Sequence, residues 1–360
     1  MGKHVKKNDV VMIFRIGSLG DTLVAVPSFH LIRKTYPNSK IILLTNTPVN
    51  NSIKAASSFQ ILNGSGLVDD YLEYPHGSSQ LSKLFAVAKI IRKFKPSLLI
   101  YLMPQRSFMQ RLRDFIFFLI SGITKYRGIW AHNGENTHIY NDNIGLFESE
   151  ASRLLRSIGF MPEQLVKSLF SINSTLEEKN SAKKLIETES LSSDYISLSV
   201  GTKLLVKDWG EAKWTAFIDE LAKVAVGYKL LFIGSPDESD RCEKLLNMWP
   251  YGGVNLCGLL SPRESAAALS MTKIFVGHDS GPMHLASSVG VPTVGIFASR
   301  NKKGVWFPFD NEENMFYTDI SCSGCGLEVC EVKAKECINA IQPFDVVNKV
   351  KVILAAGSSY

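Results

Sequence analysis

An alternation that runs twice through the chain is what most constrains its fold. Short β-rich runs are followed by longer stretches with helical spacing. VVMIFRI (Val10 to Ile16) reads as a buried strand, and DTLVAVPSFHLIRKTYP follows with helical periodicity. KIILLTN (Lys40 to Asn46) is the next strand, followed by LVDDYLEY, a helix around LSKLFAVAKIIRKF, and the strand PSLLIYLM. Pro27 falls well inside the first helical stretch, so a kink or a late helix start is expected there. The second half repeats the pattern. YISLSVG, YKLLFIGS, KIFVGHDSG and VPTVGIFAS read as strands, separated by the helices AKWTAFIDELAKVAVG, SPRESAAALSMTK and PMHLASSVG. In the second helix Ser261 is placed as N-cap, Pro262 at the first position and Glu264 completes a capping box. Strands alternating with helices predict parallel sheets covered on both faces. Two such halves predict two doubly wound domains facing each other across a ligand cleft, with ligands outside the strands' carboxyl ends.

Size and composition agree with two domains. The chain has 360 residues, against typical domains of roughly 100–200. The polar stretch from about Glu163 to Asp194 holds the linker near its start, giving expected domains of 1–170 and 171–360. Hydrophobic residues at 45% and charged residues at 21% exclude a disordered chain. A net charge of +6 suits an anionic small ligand or an anionic surface. No dense basic run with interleaved aromatics appears, so nucleic acid is not an expected partner. The basic-then-apolar start is too short, is broken by Arg15 and lacks a cleavage site, so it reads as a strand rather than a signal peptide. Gly2 does not begin a myristoylation motif, because position 6 is Lys6. FIFFLISGI (Phe115 to Ile123) falls short of the ~18 apolar residues a spanning helix needs. It reads as a core helix or one touching a membrane, and the chain is expected to be cytoplasmic.

Four strand-end loops carry the candidate chemistry. The loop Arg15 to Asp21 bears glycines and leads into a helix, where backbone N–H groups approach anions closely. It matches neither common phosphate-binding fingerprint. Asp21 reads either as a helix cap or as a general base for an acceptor hydroxyl. In GHDSGPMHLA, Asp279, Ser280 and Gly281 turn into a helix. The N–H groups of Ser280, Gly281 and Met283 are expected to point at a phosphate; Pro282 has none, and His284 is a candidate ring donor. Fixed donors there favour a leaving diphosphate that gains charge. A capped helix with a packed His284 is the bland alternative. GTKLLVKDWGEAKW offers Thr202, Lys203 and Lys207 toward a phosphate, with Trp214 in the core. In FIGSPDESDR, Glu238 is placed to accept ribose hydroxyls or only to favour a helix dipole.

IGSLGDTLVAVPS, KDWGEAKW and GHDSGPMHLASSVGVPTVGIF together resemble glycosyltransferase family 9, the lipopolysaccharide heptosyltransferase family with the GT-B fold. The likeness runs over nearly the whole chain in order and spacing, and the segment around Asp279 to His284 is its most specific part. The resemblance implies an inverting, metal-independent transfer with no cofactor. The expected donor is ADP-heptose and the expected acceptor the lipid A–Kdo or heptose inner core, met peripherally at the cytoplasmic face of the inner membrane. It implies Asp21 as catalytic base. It implies that Thr202 and Lys207 meet the diphosphate, Glu238 the ribose and Leu260 the adenine. Asp279, Ser280, Gly281 and His284 would form the phosphate and sugar end, with Ser18 beside the donor. PQRSFMQRLRD and TKYRGIW resemble acceptor-side segments, so Arg106, Arg111, Arg113, Lys125 and Arg127 are candidates for an anionic acceptor. Lys203 departs from a hydroxyl residue common in the family. Alternatives are another nucleotide-sugar donor on another surface glycan, or a non-catalytic nucleotide-sugar-binding protein. An oxidoreductase is disfavoured, since no G-x-G-x-x-G follows either first strand.

Cys322, Cys325, Cys330 and Cys337 cluster in SCSGCGLEVCEVKAKEC. They admit a structural zinc, but lack the paired C-x-x-C knuckles of a strong zinc signature. Reduced thiols or an occasional disulfide are the expected state.

Overall fold

The structure, a computed structural model, describes residues 9–46, 57–75, 81–130, 137–186 and 194–357. Gly2 and Lys6, on which the lipidation reading turns, lie outside them. The chain divides into two compact units, Met1–Ile172 and Asn173–Tyr360.

The first unit is built on strands β1 (Val10–Phe14), β2 (Lys40–Asn46), β3 (Asp70–Tyr74), β4 (Leu98–Tyr101) and β5 (Tyr126–Arg127). Their order is β3-β2-β1-β4-β5, and every pairing is parallel. Helices α1 (Leu19–Thr35) and α2 (Ser58–Leu62) make the connections in one direction; α3 (Leu81–Phe94) and α4 (Phe108–Ile120) make them in the other. Right-handed crossovers therefore put the two pairs on opposite faces. Met12, Phe14, Leu44 and Leu99 meet Ile91 of α3 and Phe118 of α4 in one buried cluster. A short hairpin, β6 (Tyr140–Asn141) with β7 (Leu146–Phe147), and α5 (Glu150–Ser157), which packs on α1, complete the unit. Pro27 is buried inside α1, which begins at Leu19, so the helix does not start late.

The second unit opens with α6 (Leu176–Ile186) and continues through β8 (Tyr195–Ser199), α7 (Glu211–Val224), β9 (Lys229–Phe232) and α8 (Ser239–Asn247). Then come β10 (Gly253–Asn255), α9 (Pro262–Leu269), β11 (Ile274–His278), α10 (Gly281–Ser288), β12 (Thr293–Phe297) and β13 (Met315–Tyr317). Short α11 (Glu336–Asn339) precedes α12 (Pro343–Gly357), which packs on α7. The sheet order is β10-β9-β8-β11-β12-β13, again all parallel. The Ser261 capping box closes as the sequence predicts, with the Ser261 hydroxyl accepting from the Glu264 N–H. Gly290 ends α10 with φ +81. Central strands β8, β11 and β12 are buried at every residue, which is why they read as unbroken apolar runs.

Both sheets thus reverse strand order beside their first strand, between β1 and β4 and between β8 and β11. In doubly wound sheets ligands bind outside the strands' carboxyl ends at that reversal. Among the described residues no helix is long and apolar enough to cross a membrane.

Adjacent positions on α4 test the first unit's packing. Phe118 is 0% exposed and Leu119 is 52% exposed. Phe118→Ala should cost about 3–5 kcal/mol in chemical denaturation, while Leu119→Ala should stay within about 0.5 kcal/mol.

Candidate active site

In the second unit three loops meet at the reversal. β8 runs into Gly201 and Thr202, followed by a 3₁₀ turn at Leu205–Lys207. β11 ends at His278 and leads through Asp279 and Ser280 into α10. The Lys207 ammonium donates to the Asp279 carboxylate at 2.6 Å and to its carbonyl at 3.0 Å. An ammonium is thereby fixed at the entrance of α10. Ser280 is the N-cap of that helix, yet its side chain makes no capping bond. Its Oγ is buried without a hydrogen-bond partner. The usual structural task of a serine there is therefore left undone, which leaves the hydroxyl and the helix's first N–H groups for an anion. His284 is buried in the first turn, its ring edge-on to Trp306 at 6.2 Å.

His278 joins these loops, and sequence reasoning gave it no role. The Trp209 N–H donates to its Nε2 at 3.0 Å, so Nε2 is unprotonated and Nδ1 carries the hydrogen toward the Gly201 carbonyl at 3.3 Å. The Trp209 indole N–H in turn donates to the Ile341 carbonyl at 3.1 Å. Next to it, Asp208 takes both terminal nitrogens of Arg241 at 3.1 Å. Burial alone would raise the Asp208 carboxyl, but Arg241 and the Gly210 N–H overcome it and hold it below the usual range.

Glu238 lies in the crevice at the carboxyl ends of β8 and β9. A Cβ at Gly201 or at Gly234 would collide with its carboxylate, so both glycines are what lets the side chain lie against the backbone. Oε2 accepts the Ser235 N–H at 2.9 Å, so Glu238 also caps its own short turn. Thr202 is half-buried, and its Oγ1 accepts the Leu204 N–H at 3.4 Å. Lys203 is exposed. Leu260 is half-buried just before α9, on the β10 side of the sheet.

In the first unit, Ser18 is the N-cap of α1 and Asp21 its third residue. Asp21 Oδ2 accepts from the Ser18 N–H and from the Ser18 hydroxyl, both at 2.7 Å. Oδ1 lies 3.9 Å from Arg15 Nη2, and the Asp21 side chain keeps 24% exposure. One oxygen is therefore held and the other remains available. A Cβ at Gly17 would strike the Asp21 side chain. Arg15 is fully buried; it donates to the Leu102 carbonyl at 3.1 Å and to the Asp21 carbonyl. Burial lowers its guanidinium, with Asp21 and Glu150 opposing that shift. Behind it, Glu150 accepts from Arg153 at 2.7 Å and pairs with His138 at 2.9 Å. Burial would raise the Glu150 carboxyl, yet these partners bring it to about 2.

The arginines expected on the acceptor side divide. Arg106, in the loop after β4, and Arg113, on α4, both pair with the buried Asp114, at 3.2 and 2.9 Å. The Tyr101 hydroxyl also donates to Asp114, at 2.7 Å. Arg111 lies half-buried on α4, and Arg127 sits at the carboxyl end of β5. Lys125 is exposed just before β5, and its carbonyl accepts the Leu99 N–H at 3.0 Å. It therefore stands at the amino end of the sheet, away from Ser18 and Asp21.

All six cysteines carry free thiols. Cys322, Cys325, Cys330 and Cys337 line one cavity together with Val206. Among the described residues no three His, Cys, Asp or Glu side chains are arranged to hold a metal ion.

The buried His278 gives a pH test. Burial pushes its imidazole from 6.5 down to about 4. Between those values the unfolded chain binds a proton that the folded one refuses, so this contribution is complete above pH 6.5 and is lost as pH falls toward 4. The loss should amount to about 3 kcal/mol. His278→Gln keeps an acceptor but does not titrate. Its thermal midpoint should fall less than that of wild type between pH 6.5 and 4.5, above the range where Glu150 contributes.

Comparison with known proteins places the chain in a family and a fold class. The family model described as glycosyltransferase family 9 (heptosyltransferase) matches residues 130–335. The chain is 27% identical over 206 residues to lipooligosaccharide heptosyltransferase 2 of Campylobacter jejuni, a match spanning 53% of this chain and 64% of that relative. It is 23% identical over 309 residues to lipopolysaccharide heptosyltransferase 3 of Escherichia coli, covering 83% of this chain and 86% of the relative. Among solved structures, a glycosyl transferase family 9 protein from Veillonella parvula superposes with a TM-score of 0.71 at 18% identity, over 98% of this chain and 99% of that one. That likeness shows the fold, the pair of Rossmann-like units of the GT-B class. With more than half of its length matched by the family model, the chain belongs to glycosyltransferase family 9, the heptosyltransferase family.

Proposed function

We propose that the protein transfers heptose from ADP-heptose, with inversion, to an anionic inner-core glycolipid of lipopolysaccharide, lipid A–Kdo or its heptosylated form. The observation that carries the donor side is the Lys207–Asp279 pair at the mouth of α10. It fixes a cation beside helix N–H groups and the buried, unpartnered Ser280 hydroxyl. In this reading Lys207, Thr202 and the N–H groups of Ser280, Gly281 and Met283 meet the diphosphate. Asp279 and His284 border the sugar, Glu238 accepts the ribose hydroxyls, Leu260 lies on the adenine, and Ser18 flanks the donor. The domain roles follow: residues 1–170 bind acceptor and 171–360 bind donor.

The chemistry is one proton and one glycosyl group moving. Asp21 Oδ1 takes the proton of the acceptor hydroxyl while Ser18 holds Oδ2. The acceptor oxygen bonds to the anomeric carbon, and the bond from that carbon to the β-phosphate oxygen breaks. ADP leaves with one more unit of charge, met by Lys207 and the α10 N–H groups rather than by a metal ion. Arg106, Arg111, Arg113 and Arg127 are assigned to acceptor anions, with Arg106 nearest the strand-order reversal; Lys125, at the amino end of the sheet, is not. A lipid-linked acceptor calls for peripheral contact with the cytoplasmic face of the inner membrane.

Asp21→Ala should fold, keep ADP binding and lose transfer by about 10²–10⁴-fold, the usual worth of a positioned base; retained turnover would remove the assignment. ADP and ADP-sugars should raise the thermal midpoint more than GDP or UDP compounds do. A preference for UDP compounds would rule out ADP-heptose as donor.

A further inference from the structure

Apart from Arg111 and Arg113, the α3–α4 layer has no role in the proposed transfer chemistry, and its composition is unlike the rest of the chain. Residues 81–130 hold ten Lys and Arg and a single acidic residue, Asp114. The whole chain is only +6, so the remainder is net acidic. Asp114 is buried and offsets only Arg106 and Arg113, with which it pairs, so the exposed Lys83, Lys89 and Lys93 of α3 keep the outer face basic.

The same layer exposes large apolar side chains in register. On α4, Met109, Ile116 and Ile120 fall on one face at helical spacing, with the charged Arg113 between them and Leu119 beside them; all are exposed. Met109 is 69% exposed. Phe118 on the opposite side of the helix is in the core. On α3, Leu81 and Phe85 are exposed beside Lys89, with Phe85 at 58%. The two helices form one sheet-covering layer, tied where Arg92 of α3 donates to the Ile120 carbonyl at the end of α4, at 2.8 Å. Near the start of α4, Trp130 packs on Phe108 and Phe115, with ring centroids 6.2 and 5.1 Å apart, and is itself exposed. A half-exposed tryptophan, an apolar helix stripe and flanking lysines are the combination that seats a helix at a headgroup boundary.

We infer that the outer face of α3 and α4 is the surface by which this protein lies on an anionic lipid bilayer. It deepens the reading of a lipid-linked acceptor and names the side of the first unit that meets the membrane. Charge decides the occupant: a lipid surface rich in anionic headgroups takes an apolar stripe and the lysines around it at once. A second copy would bring this basic face against itself.

Cosedimentation of the full chain with vesicles tests this without donor or acceptor. Binding should be strong to vesicles containing phosphatidylglycerol, weak to pure phosphatidylcholine, and reduced by salt. Combined Lys83→Gln, Lys89→Gln and Lys93→Gln should weaken anionic-vesicle binding by on the order of a hundredfold, since each lysine near such a surface is worth roughly fivefold. Combined Met109→Gln, Ile116→Gln and Leu119→Gln should weaken it by at least about tenfold. Both variants should keep the wild-type thermal midpoint and the wild-type rate on a water-soluble, deacylated acceptor. Equal binding to both vesicle types, binding unchanged in the variants, or separation of a wild-type oligomer by the apolar variant without loss of vesicle binding would each overturn the inference. Vesicle binding without any transfer by the wild-type protein would instead sink the functional reading and leave the surface standing.

Discussion

The loops at the strand-order reversal of the second unit depend on one buried neutral imidazole. His278 ends β11 and, through its two ring nitrogens, joins the Gly201 loop to the Trp209 backbone. With that register held, Lys207 reaches the Asp279 carboxylate and carbonyl. A protonated His278 has no acceptor for the Trp209 N–H, so the low-pH form cannot hold the same loop geometry. Burial supplies the bias toward the neutral ring. The ion pair is therefore a consequence of packing around Trp209 and Trp214, rather than an isolated surface contact.

The first unit solves a similar problem with charge. Arg15 is buried at the carboxyl end of β1, and the carbonyls of Leu102 and Asp21 accept from its two terminal nitrogens. Glu150 and Arg153 form a second buried pair close behind, and Arg153 also donates to the Met103 carbonyl at 2.9 Å. Removing one member would leave an uncompensated buried charge, so the network constrains the loop that carries Asp21. The same strand order serves both units, yet one reversal point presents a carboxylate and the other an ammonium and helix N–H groups. That difference suits a base on one unit and a diphosphate site on the other.

Much of this was legible in the sequence, for identifiable reasons. Strands such as YISLS are buried on both faces and read as apolar runs, and the Ser261 box announces α9. Asp279, Ser280 and Lys207 stand out because they follow strands, where ligands gather. Their pairing was not legible, because residues 207 and 279 meet only through sheet order. His278 reads as the last residue of a strand, and nothing local marks it as a hub. Arg15 appears in sequence only as a break in an apolar run; the opposing charge of Glu150 lies on a distant short helix. Gly201 and Gly234 read as turn residues, whereas the fold uses them as room for the Glu238 carboxylate. The short strands β5, β6, β7 and β13 carry too few residues to show a period.

The central claim is that the second unit holds the donor diphosphate through the cation that Asp279 fixes. Calorimetric titration of ADP into wild-type protein and Lys207→Met, with matching circular dichroism, tests it most directly. The account predicts an affinity lower by about ten- to a hundredfold in the variant, as expected for loss of a hydrogen bond to a charged group. Equal affinity in the two proteins would contradict it.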